Sequence, residues 1–238
     1  MYMDKKTQKE ILDIVRRNYG EIAEHYNETR KKHFSSLWDE LKKICDSVED
    51  WQSVLDVGCG NGRLLELFKD RKVNYLGIDS SKELIGFAKK RFPGYKFIEG
   101  NILDLGEAKE INFDYAFSIA VLHHLPGEEL RVQALRQLKN KVKKDGRIVI
   151  TVWAMWSQEK YRKKIIKFIL LKLIGKNKMD IGDILFDWKN SQGETVSKRY
   201  YHAFRKSELK RIARKAGLKV EKIYKDKFNY YLIIKKFQ

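Results

Sequence analysis

The stretch VLDVGCGNGRLLELF, Val54 to Phe68, decides the fold. It opens as an apolar run, turns on Gly58, Gly60 and Gly62, and passes directly into a leucine-rich pattern of helical spacing. A strand, a glycine turn and a helix in that order form the setting in which a Gly-rich motif holds a nucleotide-like ligand, because a missing Cβ lets the ligand lie against the backbone. The spacing is G-x-G-x-G, tighter than the G-x-G-x-x-G of dinucleotide folds. Asp79 closes the next apolar run, nineteen residues beyond Gly60, where an acidic side chain is placed to accept hydrogens from both ribose hydroxyls. With acidic Asp56 on the first run, the pattern reads as a nucleoside site.

Outward from this stretch, short apolar runs alternate with segments of helical period, the pattern of a parallel sheet covered on both faces. The runs fall at 53–57, 73–79, 95–100, 113–119, 146–153, 218–224 and 229–236, and helices are expected at 62–70, 80–91 and 127–143. The last two runs are separated only by KDKF, too few residues for a parallel crossover, so they are expected to form an antiparallel hairpin. The fold class is therefore α/β: a Rossmann-like, seven-stranded, mainly parallel sheet with an antiparallel C-terminal hairpin and helices on both faces. Residues 1–238 read as a single domain, with a basic helical extension at 1–50 and an insertion at 154–202 over the carboxyl ends of the strands, where open α/β sheets bind ligands.

Composition narrows the partners. Fifty Lys plus Arg against 32 Asp plus Glu leave a formal charge of +18, enough to attract a polyanion such as RNA. Lys outnumbers Arg 36 to 14, so a lysine-rich genome is the competing explanation. Cys45 and Cys59 form neither a disulfide framework nor a ligand pattern, so no metal is expected and a reducing cytoplasm fits. The charged start offers no apolar signal region, and the longest apolar stretch, Ile165 to Gly175, is short and broken by lysine, so no membrane span is expected.

The segments LDVGCGNG, GIDSS and FDYAFSIAVLHHL resemble the successive motifs of class I S-adenosylmethionine-dependent methyltransferases, over roughly residues 50–153. The resemblance implies S-adenosyl-L-methionine as cofactor. It places Asp56, Gly58, Gly60 and Gly62 around the methionine part, Asp79 and Ser80 at the ribose, Asn101 and Ile102 beside the adenine, and Ala120 after the fourth strand. Many members carry an acidic residue where Asn101 stands, so its adenine contact would run through the amide oxygen.

Three further segments, NYGEIAEHYNETR (18–30), SIAVLHHL (118–125) and GDILFDWKNSQGETVSKRYYHAFRKSEL (182–209), resemble the eukaryotic tRNA methyltransferases that esterify 5-carboxymethyluridine at the wobble position. Phe186 and Asp187 stand where that family has a Val-Pro pair before the tryptophan. The resemblance implies a tRNA anticodon loop as substrate and a small zinc-binding activator protein as partner. A carboxylate nucleophile is already ionised at pH 7, so the chemistry needs positioning rather than a strong base. Arg30 and Arg199 are the candidate carboxylate or phosphate anchors, since a guanidinium donates two parallel hydrogen bonds. Tyr200, Tyr201 or Trp153 would stack an extruded base, and His124 would face the methyl group. The plainer readings make Tyr200 and Tyr201 core aromatics, His123 a structural histidine and Arg30 a surface ion-pair partner. The helix near 159–178, with its stripe of Ile165, Ile166, Ile169, Leu170 and Leu173, is expected to pack on the domain, with a membrane-surface helix as the alternative. Two other functions stay open: a small-molecule methyltransferase of the quinone-biosynthesis or carboxylic-acid kind, and a non-catalytic RNA-binding protein on the same fold.

Overall fold

A computed structural model describes residues 3–29, 36–189 and 195–236; Arg30 lies outside them. The strands are β1 (Ser53–Val57), β2 (Asn74–Asp79), β3 (Lys96–Glu99), β4 (Phe113–Ile119), β5 (Val142–Trp153), β6 (Asp183–Lys189), β7 (Thr195–His202), β8 (Lys219–Lys225) and β9 (Asn229–Lys235). The helices are α1 (Lys5–Glu21), α2 (Ala23–Thr29), α3 (Ser36–Cys45), α4 (Lys82–Arg91), α5 (Glu128–Lys141), α6 (Glu159–Leu173) and α7 (Lys206–Lys215).

Seven strands form one sheet in the order β3-β2-β1-β4-β5-β9-β8. The first five pair in parallel, whereas β9 pairs antiparallel with both β5 and β8, as the short KDKF connection requires. Alternate side chains feed two cores. Leu55 and Val57 meet Leu135 and Leu138 of α5 and Ile212 of α7 on one face; Val54 meets Leu41 and Cys45 of α3 and Ala88 of α4 on the other. Burial on both faces is why the inner strands are almost wholly apolar. The order reverses between β1 and β4, and the carboxyl ends of those strands open the crevice where such sheets take ligands.

Four local expectations change. The helix expected at 62–70 is a 3-10 stretch, Arg63–Phe68, and Gly62 in front of it supplies no side-chain cap. The insertion carries two strands that are absent from the apolar runs: β6 and β7 form their own antiparallel sheet, in a register that sets Phe186 against Arg199 and Asp183 against His202. The fifth strand starts earlier than expected, at Val142, on residues whose KKDG stretch shows no apolar run. The stripe on α6 is only partly covered: Ile165 is buried and Ile169 half-packed, while Ile166, Leu170 and Leu173 are 48%, 57% and 74% exposed. Among the described residues, no helix is long and apolar enough to cross a membrane. Cys45 and Cys59 are free and buried.

Candidate active site

A cavity of about 1000 Å³ lies at the carboxyl ends of the parallel strands. Gly58, Gly60, Asp79, Ser80, Asn101, Ile102 and Ala120 line one part of it; Tyr19, His124, Trp153, Arg199 and Tyr201 line another. The glycine turn and the insertion, distant in sequence, thus share one space.

The turn is shaped for close approach. Gly58 has φ +81°, and a Cβ there would stand 2.1 Å from Val121 Cγ2, so no other residue fits while Val121 packs over the turn. The Gly58 and Cys59 N–H groups both donate to the Ile78 carbonyl, at 2.7 and 3.0 Å, tying the turn to the end of β2. Asp79 accepts from the Gly60 N–H through Oδ2 at 2.8 Å and from the Ser81 N–H through Oδ1 at 2.9 Å. Each oxygen keeps a lone pair for a further donor. Burial pushes the Asp79 carboxyl up, and those N–H bonds oppose it. Ala120, at the end of β4, holds φ +59°, uncommon for a residue with a Cβ, and its N–H donates to the Thr151 carbonyl at 3.0 Å.

Three expected site residues stand elsewhere. Asp56 points into the sheet beneath the turn, 2% exposed, where it accepts from the Tyr75 hydroxyl at 2.7 Å. Gly62 faces the core, where an added Cβ would meet Phe92 and Phe97 at 3.1 Å. Tyr200 is buried behind β7, because successive side chains of a strand take opposite faces. Arg199 and Tyr201 face the cavity; Tyr200 and His202 face away. Asn101 lines the cavity, but its Oδ1 already accepts from the Leu103 N–H at 2.9 Å.

Burial pushes the Asp56 carboxyl up to about 7, with a smaller contribution from the Asp79 charge. A carboxyl with a raised folded-state pKa takes up a proton on folding. Its contribution is full below the unfolded-state pKa and lost as pH rises through about 7, at about 1.4 kcal/mol per unit. Asp56→Asn should therefore flatten the fall in melting temperature between pH 5 and 8 and raise it at pH 8. An unchanged slope in a melting series would show that Asp56 does not carry it.

The wall opposite the glycine turn is aromatic. The Tyr201 ring stacks between Trp153, at 4.8 Å, and Phe186, at 5.6 Å, with 17° between planes in both pairs. The His124 ring lies 4.8 Å from Tyr201. His123 is buried, with Nδ1 accepting from the Trp153 N–H at 3.3 Å. Burial pushes its imidazole well below the usual range and His124 to about 4, so both rings are neutral at physiological pH. Arg199 brings a positive charge to this wall and helps to hold His124 down.

Behind the wall is a buried ionic cluster that the sequence reading misses. Arg131, 1% exposed, donates to the Leu125 carbonyl at 2.9 Å and, at 3.3 Å each, to Glu208, Asp183 and the Tyr200 hydroxyl. His202 sits between the same acids, Nδ1 2.6 Å from Asp183 Oδ1 and Nε2 2.8 Å from Glu208 Oε1. The cluster joins α5, β6, β7 and α7, and so fixes the face that β7 turns to the cavity. Tyr19 is the other omission. It lies on α1 in line with Leu12, Val15 and Ile22, all of which line the cavity. That helical spacing is visible in the sequence.

The cradle fits S-adenosylmethionine: a glycine turn on the cavity wall, a half-buried carboxylate with spare lone pairs at the end of β2, and apolar Ile102 beyond it. Among the described residues, no group of His, Cys, Asp and Glu is arranged to hold a metal ion.

Residues 55–150 match the methyltransferase domain family. The tRNA (carboxymethyluridine(34)-5-O)-methyltransferase of Saccharomyces cerevisiae is 34% identical over 156 residues, 65% of this chain and 53% of the relative. The Schizosaccharomyces pombe enzyme of the same name is 27% identical over 242 residues, 94% of this chain and 96% of its own length. This chain thus spans about half the length of the S. cerevisiae relative. Among solved structures, the DhpI–SAM–HEP complex aligns with a TM-score of 0.70 at 15% identity, over 95% of this chain and 98% of that one. A methyltransferase in complex with the Haloferax volcanii Trm112 activator aligns with a TM-score of 0.64 at 14% identity, over 94% and 98%.

Proposed function

The chain carries a methyltransferase domain in a class I fold and resembles the tRNA (carboxymethyluridine(34)-5-O)-methyltransferases, and from that premise we propose that it methylates the carboxylate of 5-carboxymethyluridine at the wobble position of tRNA. The observation that carries the reading is the placement of Arg199 and Tyr201 on one face of β7, toward the cavity that also holds the glycine turn and Asp79. A site for a nucleoside cofactor alone needs neither a guanidinium nor an aromatic wall opposite it.

S-adenosylmethionine, when bound, supplies a methyl group made electrophilic by the attached sulfonium. The chain's own groups do the rest. Asp79 accepts the ribose hydroxyls on its free lone pairs, with Ser80 beside it, and the methionine part lies along the stretch of cavity wall that Gly58, Gly60 and Ala120 line. Arg199 holds the substrate carboxylate through paired donors and turns one oxygen toward the methyl group. Tyr201 and Trp153 give the base an apolar face to lie on. The Nε2 lone pair of the neutral His124 is taken up by the Tyr19 hydroxyl, 2.7 Å away, so the ring does not compete for the methyl group, and without a charge it does not repel Arg199. Arg16 and Lys160, on the cavity wall, add positive charge for the anticodon backbone.

The same reading makes residues 154–202 the substrate-side insertion of a single domain. It adds a small zinc-binding activator as partner and the cytoplasm as the site of action. The similarity in fold to the H. volcanii methyltransferase that binds Trm112 supports the first of these. Nucleoside mass spectrometry of tRNA from cells lacking the protein tests the function. The methyl ester should disappear while the free carboxymethyl acid accumulates; an unchanged ester would refute the proposal.

A further inference from the structure

We propose that the Tyr19 hydroxyl oxygen is the acceptor that orients the cofactor's methyl group between the two halves of the cavity, an assignment that rests on the methyl-transfer reading of the site. His124 Nδ1 lies 3.3 Å from the Tyr200 carbonyl oxygen, which can only accept, so Nδ1 carries the ring's proton. With the imidazole neutral at physiological pH, Nε2 is a bare lone pair, and the Tyr19 hydroxyl 2.7 Å away must donate to it. The hydroxyl's single proton is thereby committed. Its oxygen offers only lone pairs to anything else, and among the described residues no donor reaches it. Burial keeps the phenol protonated by pushing it well above its ordinary range.

Toward the cofactor, the Tyr19 ring lies 6.2 Å from that of Tyr26, which in turn stands 3.6 Å from the place a Gly60 Cβ would take. Toward the substrate, it lies 5.2 Å from His124, which leans on Tyr201. The oxygen therefore stands where the glycine turn and the arginine–aromatic wall meet, the region a transferred methyl group must cross. A phosphate or carboxylate there would meet lone pairs. The complementary donors are the polarised C–H bonds of a carbon attached to a sulfonium, which make C–H···O contacts. Tyr19 changes no bond in the reaction: the carboxylate oxygen–carbon bond forms, the carbon–sulfur bond breaks with its electron pair left on sulfur, and the phenol keeps its proton throughout.

Calorimetry with S-adenosylmethionine and S-adenosylhomocysteine separates this role from a structural one, because the second ligand lacks the methyl group. Tyr19→Phe should weaken S-adenosylmethionine binding about three- to tenfold and leave S-adenosylhomocysteine within twofold. Equal weakening of both, or of neither, would overturn the assignment while leaving the methyl-transfer reading intact. Failure of the wild-type protein to bind S-adenosylmethionine at all would sink both. The wild-type protein supplies an independent reading that survives if the variant does not fold. The methyl proton resonance of bound ¹³C-methyl S-adenosylmethionine should move downfield from its position in free ligand, and an unmoved or upfield resonance would contradict the contact.

Discussion

Arg131→Ala is expected to destabilise the protein by about 3 to 5 kcal/mol, the range for removing one partner of a buried ion pair and leaving the other uncompensated. Arg131 is 1% exposed and supplies donors to the Leu125 carbonyl, Asp183, Glu208 and Tyr200. Without it, two carboxylates remain around His202, one of them fully buried, with no guanidinium to balance them. Lysine should recover only part of the loss, because one ammonium cannot reach four acceptors that are arranged around a planar fork. Urea denaturation followed by circular dichroism measures the effect. A change below about 1 kcal/mol would show that the cluster is not buried and ionised as the contacts require. The consequence reaches the cavity, since Tyr200 and His202 anchor the strand whose other face presents Arg199 and Tyr201.

Arg199→Ala is expected to lower kcat/KM for carboxymethyluridine-bearing tRNA at least tenfold, a loss of about 1.4 kcal/mol or more in transition-state stabilisation. A guanidinium on the cavity wall fixes both oxygens of a planar carboxylate, and an error in that geometry moves the attacking oxygen off the line to the methyl carbon. Arg199→Lys should restore little, since charge returns but the paired donors do not. Cofactor affinity should be unchanged, because the cradle is built at the ends of β1, β2 and β4, away from β7. Steady-state kinetics with calorimetry of the cofactor would separate the two effects. Wild-type turnover in the alanine variant would remove Arg199 from the substrate site.

The cofactor half of the site is legible in the sequence because it is local. The turn after β1 and Asp79 at the end of β2 each lie at a fixed offset from an apolar run, and the antiparallel pairing of the last two strands follows from the length of their connection. The substrate half is not local. RYYH can be recognised as a segment, but which of its residues faces the cavity depends on the register of β7 against β6, and that register exchanges Tyr200 for Tyr201 as the cavity residue. The partners of Tyr200 and His202 lie on α5, β6 and α7, so their pairing is invisible before folding. Asp56 and Gly62 mislead for a related reason: a motif gives spacing, whereas the strand pleat sends Asp56 into the sheet and the tight 3-10 turn sends Gly62 against Phe97. The fifth strand's early start rests on the pairing of Val142 with Phe113, the KKDG residues lying in the register shift before Arg147, and the two insertion strands are held by pairing with each other.

Transfer of a labelled methyl group to an anticodon stem-loop tests the carboxyl-methylation reading most directly. The purified protein, with its activator if one is required, would be given S-adenosylmethionine labelled in the methyl group and RNA carrying 5-carboxymethyluridine at the wobble position. Label should enter that RNA but not its unmodified uridine counterpart, and mild alkali should release it as volatile methanol, since only an ester is cleaved in that way. Label that survives alkali, or that enters the uridine control equally, would contradict methylation of the carboxylate.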